Sequence, residues 1–247
     1  MLKDKLIAWT KAYFANTSGK AVIGISGGKD STIAAAVLVE AIGADRVIGV
    51  LMPNGEQKDI SDSLEVCNLL GIDYYTINIG DAYKLLSKTI QDACEDTLGI
   101  DVAGHSVVST NLPSRLRMST LYTVAALMPS SRVVNTSNRS ERWVGYSTKW
   151  GDGVGDVSLF GNLTVSEVLQ IGDELGLPAH LVHKAPSDGM SGKTDEDNLG
   201  FTYAQLDEYL LNANYNLSDE TVSRIDFLHR INKHKVEPMP TFTKEDY

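Results

Sequence analysis

Cysteine is scarce: Cys67 and Cys94 are the only two in 247 residues, and they form no C-x-x-C pair. That excludes a disulfide framework and leaves no ligand set for a structural zinc or an iron–sulfur cluster, so both read as buried thiols. Basic residues are also in short supply, with 22 Lys and Arg against 32 Asp and Glu and a net charge of −10. Nucleic-acid and membrane-surface partners are therefore disfavoured, because both rely on a basic surface that displaces counterions. Long apolar runs are missing as well. The most apolar stretch, Ile33 to Val39, ends at Glu40, and Met1 to Ile7 lacks the uncharged core of a signal peptide. A cytoplasmic protein is expected. No repeat of 20 to 50 residues and no low-complexity segment is visible. At 43% hydrophobic and 22% charged residues the composition is that of a globular chain, long enough for one α/β domain and too short for two well-sized enzymatic ones.

Two common phosphate loops are absent too. A Walker loop needs Gly six residues before its Lys and Ser or Thr after it, and Ile23 and Asp30 stand in those places around Lys29. No G-x-G-x-x-G occurs, which removes the dinucleotide fingerprint. What is present is Ser26-Gly27-Gly28-Lys29-Asp30-Ser31, set between the apolar run Val22 to Ile25 and a helical pattern from Thr32. Paired glycines let the backbone take positive φ and approach a ligand, and the following helix adds the positive end of its dipole. This turn reads as an anion cradle, with an ordinary Gly-rich turn as the alternative.

The pattern along the chain is strand, helix, strand, helix, strand: roughly 20–25, Thr32 to Ile42, Arg46 to Met52, Asp59 to Leu70 and Tyr74 to Ile79, after an amphipathic first helix carrying Leu2, Leu6, Trp9, Tyr13 and Phe14. Such a rhythm implies right-handed crossovers and an α/β, doubly wound, mainly parallel sheet flanked by helices. Helices at Asp81 to Leu98 and Ser114 to Met128 precede a short strand at Ser131 to Val134, and a helical C-terminal part follows at Thr164 to Leu175, Tyr203 to Leu211 and Ser218 to His234. The polar stretch Lys184 to Asn198 reads as a mobile lid. In a sheet of this kind ligands sit beyond the carboxyl ends of the strands, which puts the Ser26 turn, the Pro53 loop and the Thr136 loop on one rim.

Further constellations lie on that rim. Arg115 and Arg117 stand near a helix start, where guanidinium groups meet carboxylates or phosphates, or are simply exposed. Thr136 to Glu141 supplies a hydroxyl and a carboxylate, and Asp30 and Glu141 could share a magnesium ion with a triphosphate; alternatively Ser140 caps a helix and Glu141 is a first-turn carboxylate. Lys149 to Asp156 holds three glycines within five positions, so its backbone turns sharply or meets a ligand. His180 and His183 lie three apart with no Cys or acidic residue completing a metal set, and His229 to Lys235 form a basic end to the last helix.

The Ser26 to Ser31 turn resembles the PP-loop of enzymes that split ATP between its α and β phosphates. Taken with Arg-x-Arg-Met at 115–118, Thr136 to Glu141, Lys149 to Asp156, Ala185-Pro186-Ser187-Asp188, Thr194 to Gly200 and His234-Lys235, the chain resembles the short, ammonia-using NAD synthetases from about residue 20 to 236. The resemblance implies one synthetase domain over 1–247 with no glutaminase domain. It implies amidation of deamido-NAD by ammonia through an adenylated carboxylate, with ATP as co-substrate, magnesium as cofactor, and a homodimer. By the same resemblance Gly24, Ile25, Ser26, Gly27, Gly28, Lys29, Asp30, Ser31, Thr136 and Ser187 fall to ATP, and Asp30 and Glu141 to magnesium. Arg115, Lys149, Asp156, His234 and Lys235 fall to deamido-NAD, with Asp30, Glu141 and Lys149 as the catalytic set. The chain departs from the family at Val165, where a nucleotide-contacting Lys is common, and Lys29 is the expected substitute for that charge. A tRNA-thiolating ligase shares the loop, but its cysteine pairs are missing and the chain is acidic.

Overall fold

In the computed structural model, which describes residues 1–57, 59–99, 101–102, 104–184 and 194–243, the apolar runs of the first half become parallel strands. These are β1 (Ala21–Gly24), β2 (Val47–Leu51), β3 (Asp73–Thr76), β4 (Arg132–Asn135) and β5 (Val157–Ser158), arranged in the order β3-β2-β1-β4-β5. β1 is central, with Val22 opposite Ile48 on one side and Val133 on the other. The chain winds outward from β1 to β3 and then returns to place β4 on the other side. The carboxyl end of β1 is therefore the switch point at which such sheets bind ligands.

Strand alternation divides the core between the two faces. Ile23, Val47 and Leu51 face one layer, where they meet Phe14 of α1 (Leu2–Phe14), Ile33, Val37 and Leu38 of α2 (Lys29–Ile42), Val66 of α3 (Ile60–Leu70), Ile171 of α7 (Val165–Glu174) and Leu181 of α8 (Ala179–Val182). Val22, Ile48, Val50 and Val133 face the other, against Ile79 and against Leu121 and Val124 of α5 (Ser106–Ala126). A third cluster joins Val144 of α6 (Arg139–Val144), Val165, Leu199 of α9 (Asp195–Leu199), Tyr203 and Leu206 of α10 (Tyr203–Leu211) and Ile225 of α11 (Asp219–Asn232). Fully burying one such side chain stabilises the fold by about 1.5–3 kcal/mol, so the helical half is held on the sheet half by its own core.

Several expectations are corrected. The strand expected at Tyr74 to Ile79 begins one residue earlier and ends sooner: β3 is the sheet edge and its four residues are exposed, although Ile77 and Ile79 extend the ladder by donating to Leu51 O and Pro53 O. α5 begins eight residues before Ser114 and carries Pro113 inside it, where Pro cannot donate to the preceding turn. Cys67 is buried, and burial pushes its thiol up to about 11; Cys94 is only partly covered. β5 and α9 escaped sequence reading, and a helix at α6 entered it only as the alternative in which Ser140 is its cap. α4 (Gly80–Leu98) presents Leu85, Leu86 and Ile90 to solvent. Among the described residues no helix is long and apolar enough to cross a membrane.

Candidate active site

The turn after β1 is locked by its own hydroxyls. Ser26 Oγ and Ser31 Oγ lie 3.1 Å apart, the Gly28 N–H donates to Ser26 Oγ, and the Ser31 and Thr32 hydroxyls donate to Gly28 O. Gly27 has φ +75°, and a Cβ there would come within 2.9 Å of Asp62 Cβ and 3.0 Å of Ser63 N at the start of α3. Only glycine satisfies that position. Gly28 is the N-cap of α2, so Lys29, Asp30 and Ser31 form its first turn. The amino end of α2 thus stands at the carboxyl end of β1, while the Ser26 and Gly28 N–H groups donate to the Ser31 and Ser26 hydroxyls within the turn.

Asp30 meets the β4 loop through a residue that sequence reasoning left unassigned. Asn138 Nδ2 donates to Asp30 Oδ1 at 3.2 Å, while Asn138 Oδ1 accepts the Glu141 N–H at 2.9 Å and the Asn138 N–H donates to Glu141 Oε2 at 3.2 Å. The capping box of α6 therefore belongs to Asn138 and Glu141, not to Ser140. The pattern Asn-x-x-Glu before a short helix was the available signal. Ser140 is instead buried, donating to Asp207 Oδ1 and accepting the Val165 N–H, and Asp207 Oδ2 accepts the Ser166 N–H. That network docks α10 on the N-terminus of α7 and turns Val165 into the third core cluster.

Glu141 titrates far from an ordinary carboxyl. Burial, and then the neighbouring charge of Asp30, push it up to about 8. The ammonium of Lys29 lies 2.8 Å from Asp30 Oδ2 and 5.6 Å from the Tyr203 ring centroid, with the residue only 7% exposed. Burial opposes its charge, whereas Asp30, Glu141 and Asp195 favour it, and the balance raises its pKa. Asp195 accepts from the hydroxyls of Tyr146 and Tyr203. Two hard oxygen donors held together in this way suit magnesium, which takes one or two carboxylates and completes its shell with phosphate oxygens. Among the described residues no group of three or more His, Cys, Asp or Glu stands ready to hold a metal without such help.

A second cluster assembles from α5, the Gly-rich loop and the chain after α11. Arg115 Nε donates to Lys149 O at 3.2 Å, Lys149 Nζ lies 3.4 Å from His234 Nδ1, and Lys235 Nζ donates to Gly145 O at 2.8 Å. Burial lowers the pKa of Lys235, and the charge of Asp152 partly offsets it. Asp152 Oδ1 accepts from the Thr148 N–H and the Ser114 hydroxyl, while Asn135 Nδ2 donates to Asp152 O at 2.7 Å. The glycines of this loop answer to that packing: a Cβ on Gly155 would fall 2.8 Å from Asn135 N. Trp150 is 53% exposed with φ +62°, a backbone strain for a bulky residue.

Not every expected site residue joins these two clusters by hydrogen bonds. Thr136 is half-buried at the carboxyl end of β4, on the rim. Asp156 accepts from the Val133 N–H and the Tyr122 hydroxyl through its carboxylate and from Tyr13 through its carbonyl, which ties β5 to β4, α5 and α1. Arg117, expected with Arg115 near a helix start to meet a carboxylate or phosphate or to be exposed, lies inside α5 and donates to the backbone Met52 O at 3.1 Å, and burial lowers its pKa. Of the expected lid, Lys184 to Asn198, residues 185–193 with Ser187 lie outside the described residues; at its two ends Lys184 bridges Asp59 and Asp62 at 3.0 and 2.7 Å, and Thr194 caps α9. His180 pairs with Glu65 and His183 with Asp173.

Comparison with known proteins adds the relatives. The family model for NAD synthase matches residues 3–240. The NH(3)-dependent NAD(+) synthetase of Thermococcus kodakarensis is 43% identical over 194 residues, 78% of this chain and 72% of that protein. Among solved structures, the NMN synthetase of Francisella tularensis superposes with a TM-score of 0.85 at 34% identity, covering 97% of this chain and 96% of that one. The NH3-dependent NAD synthetase of Campylobacter jejuni, solved with nitrate, gives 0.71 at 26% identity, covering 98% and 97%. With a PP-loop at the switch point of a parallel sheet and a family model matched along nearly its whole length, the chain belongs to the NAD synthase family.

Proposed function

We propose that the chain amidates the pyridine carboxylate of deamido-NAD to give NAD, using ammonia and cleaving ATP to AMP and pyrophosphate. The observation that carries this reading is the pair of clusters on one sheet rim: a phosphate-loop turn joined to two carboxyl groups, and a group of basic side chains formed by Arg115, Lys149 and His234. A bare carboxylate resists ammonia, so it must first be activated. Its oxygen attacks the α phosphorus of ATP, the bond to the bridging oxygen of the β phosphate breaks, and pyrophosphate leaves. Ammonia then attacks the carbonyl carbon, loses a proton, and displaces AMP.

Residues take the following parts in this reading. Gly24 to Ser31 and Thr136 bind ATP, the loop N–H groups and the α2 terminus stabilising charge on the departing pyrophosphate. Ser187 joins them from the segment after Lys184. Asp30 and Glu141 would hold magnesium, which when bound supplies a Lewis acid for the phosphates. Arg115, Lys149, His234 and Lys235 orient deamido-NAD, with Asp156 at the flank of the Gly-rich loop, and Lys149 offsets charge at the carboxylate undergoing transfer. The exposed Leu85, Leu86 and Ile90 of α4 and Val107 of α5 support a homodimer that covers them. We read residues 1–247 as one synthetase domain acting in the cytoplasm, without nucleic-acid or membrane partners.

A second acceptor has an observation in its favour, since the superposition on the NMN synthetase is better than that on the NAD synthetase. The smaller acceptor, nicotinic acid mononucleotide, would undergo the same two steps. Comparing kcat/KM for the two acceptors decides between them. The principal reading requires the larger value for deamido-NAD, and Lys149→Met should lower turnover with that substrate by about tenfold or more without changing the melting temperature.

A further inference from the structure

Lys29 is placed where a lysine ought to be unwelcome. It opens α2, at the positive end of the helix dipole, and its long side chain is buried. Three acidic groups make the position tenable: Asp30 in direct contact, with Glu141 and Asp195 close enough to favour its charge. Tyr203 lies beneath the ammonium and also packs in the cluster that holds Val165. The positive charge therefore enters this pocket from the loop, while residue 165 contributes only apolar surface.

We propose that Lys29 is a tethered counter-ion: its ammonium closes the Asp30–Glu141 pair to a divalent cation until a triphosphate arrives to take the ammonium over. The proposal rests on the reading that this pair holds magnesium. Lys29 Nζ occupies the contact on Asp30 Oδ2 that a bound ion would need, and Asn138 already occupies Oδ1. A four-carbon stem with three freely rotating donors can move from a carboxylate to a phosphate in the same loop without backbone change. Metal and nucleotide are then thermodynamically linked through one side chain, each favouring the other by the same factor. Free metal binds the enzyme poorly, and a bare carboxylate pair never faces the pocket.

The test is Mn2+ binding to the full chain without nucleotide, read as loss of the free-ion EPR signal. Lys29→Met should bind Mn2+ about tenfold or more tightly than wild type, the change that 1.4 kcal/mol of relieved repulsion yields. Lys29→Gln keeps a hydrogen-bond donor for Asp30 without the charge, and should shift in the same direction should the Met variant fail to fold. An unchanged Mn2+ Kd in a folded, uncharged variant overturns the proposal. Adding Asp30→Asn to the variant must abolish the gain. Tight Mn2+ binding indifferent to both Asp30→Asn and Glu141→Gln would instead overturn the assignment of the metal ligands.

Discussion

Asn138 is fully buried, and of its three hydrogen bonds one joins the β4 loop to Asp30 of the phosphate loop and two close the capping box of α6, so replacing it should damage fold and site together. Asn138→Ala removes an N-cap, worth about 1 kcal/mol, and a hydrogen bond to a charged carboxylate, worth about 1.5–3 kcal/mol. The expected loss is about 3 kcal/mol, or about 6–12 °C in Tm for a chain of this size. Asn138→Asp separates the two contributions. It keeps the acceptor for the Glu141 N–H but sets a carboxylate against Asp30 Oδ1 in place of an N–H donor at 3.2 Å. At pH 8 it should be at least as destabilised as the Ala variant, and the gap should narrow on acidification as the introduced carboxyl, buried beside Asp30, takes up a proton. Thermal melts at pH 5 and pH 8, with ATP binding followed by calorimetry, provide the comparison. An Asp variant with wild-type Tm and ATP affinity at pH 8 would show that Asn138 does not couple the two loops.

Gly27→Ala combines a left-handed backbone with a Cβ 2.9 Å from Asp62 Cβ, so it should cost about 1–3 kcal/mol and raise the KM for ATP well above any change for the acceptor. Steady-state kinetics with each substrate varied would check this, and an unaltered ATP KM would contradict the cradle. Glu141 gives a pH dependence of stability in metal-free protein. Its folded pKa, about 8, is above the usual 4.5, so the associated stability is present below about pH 4.5 and lost as pH rises towards 8. Glu141→Gln, permanently neutral, should therefore melt above wild type at pH 9 and close to it at pH 5. Equal differences at the two pH values would count against the buried, charge-opposed carboxyl.

The elements with strong period and clear punctuation were legible in the sequence. β1, α2 and the turn between them follow from an apolar run, two glycines and a helical pattern, and α10 was found to the residue. What escaped reading depended on distant partners. β5 has two residues, and its place is set by Asp156 bonding to Val133, 23 positions away. The exposure of β3 follows from its being the last strand of the sheet, which no local pattern reports. Asp30 and Glu141 were expected to share an ion; that Asn138 bonds to both, and that Lys29 turns inward onto Asp30, required the fold. Lys29 looked like a phosphate ligand because of its place in the loop. In the structure its contact is the Asp30 carboxylate.

The central claim is the reaction itself. Purified protein with ATP, magnesium, ammonium and deamido-NAD should form NAD, AMP and pyrophosphate in equal amounts, with none formed when ATP is omitted. NAD no greater than in an enzyme-free control, or ADP and phosphate in place of AMP and pyrophosphate, would contradict the account.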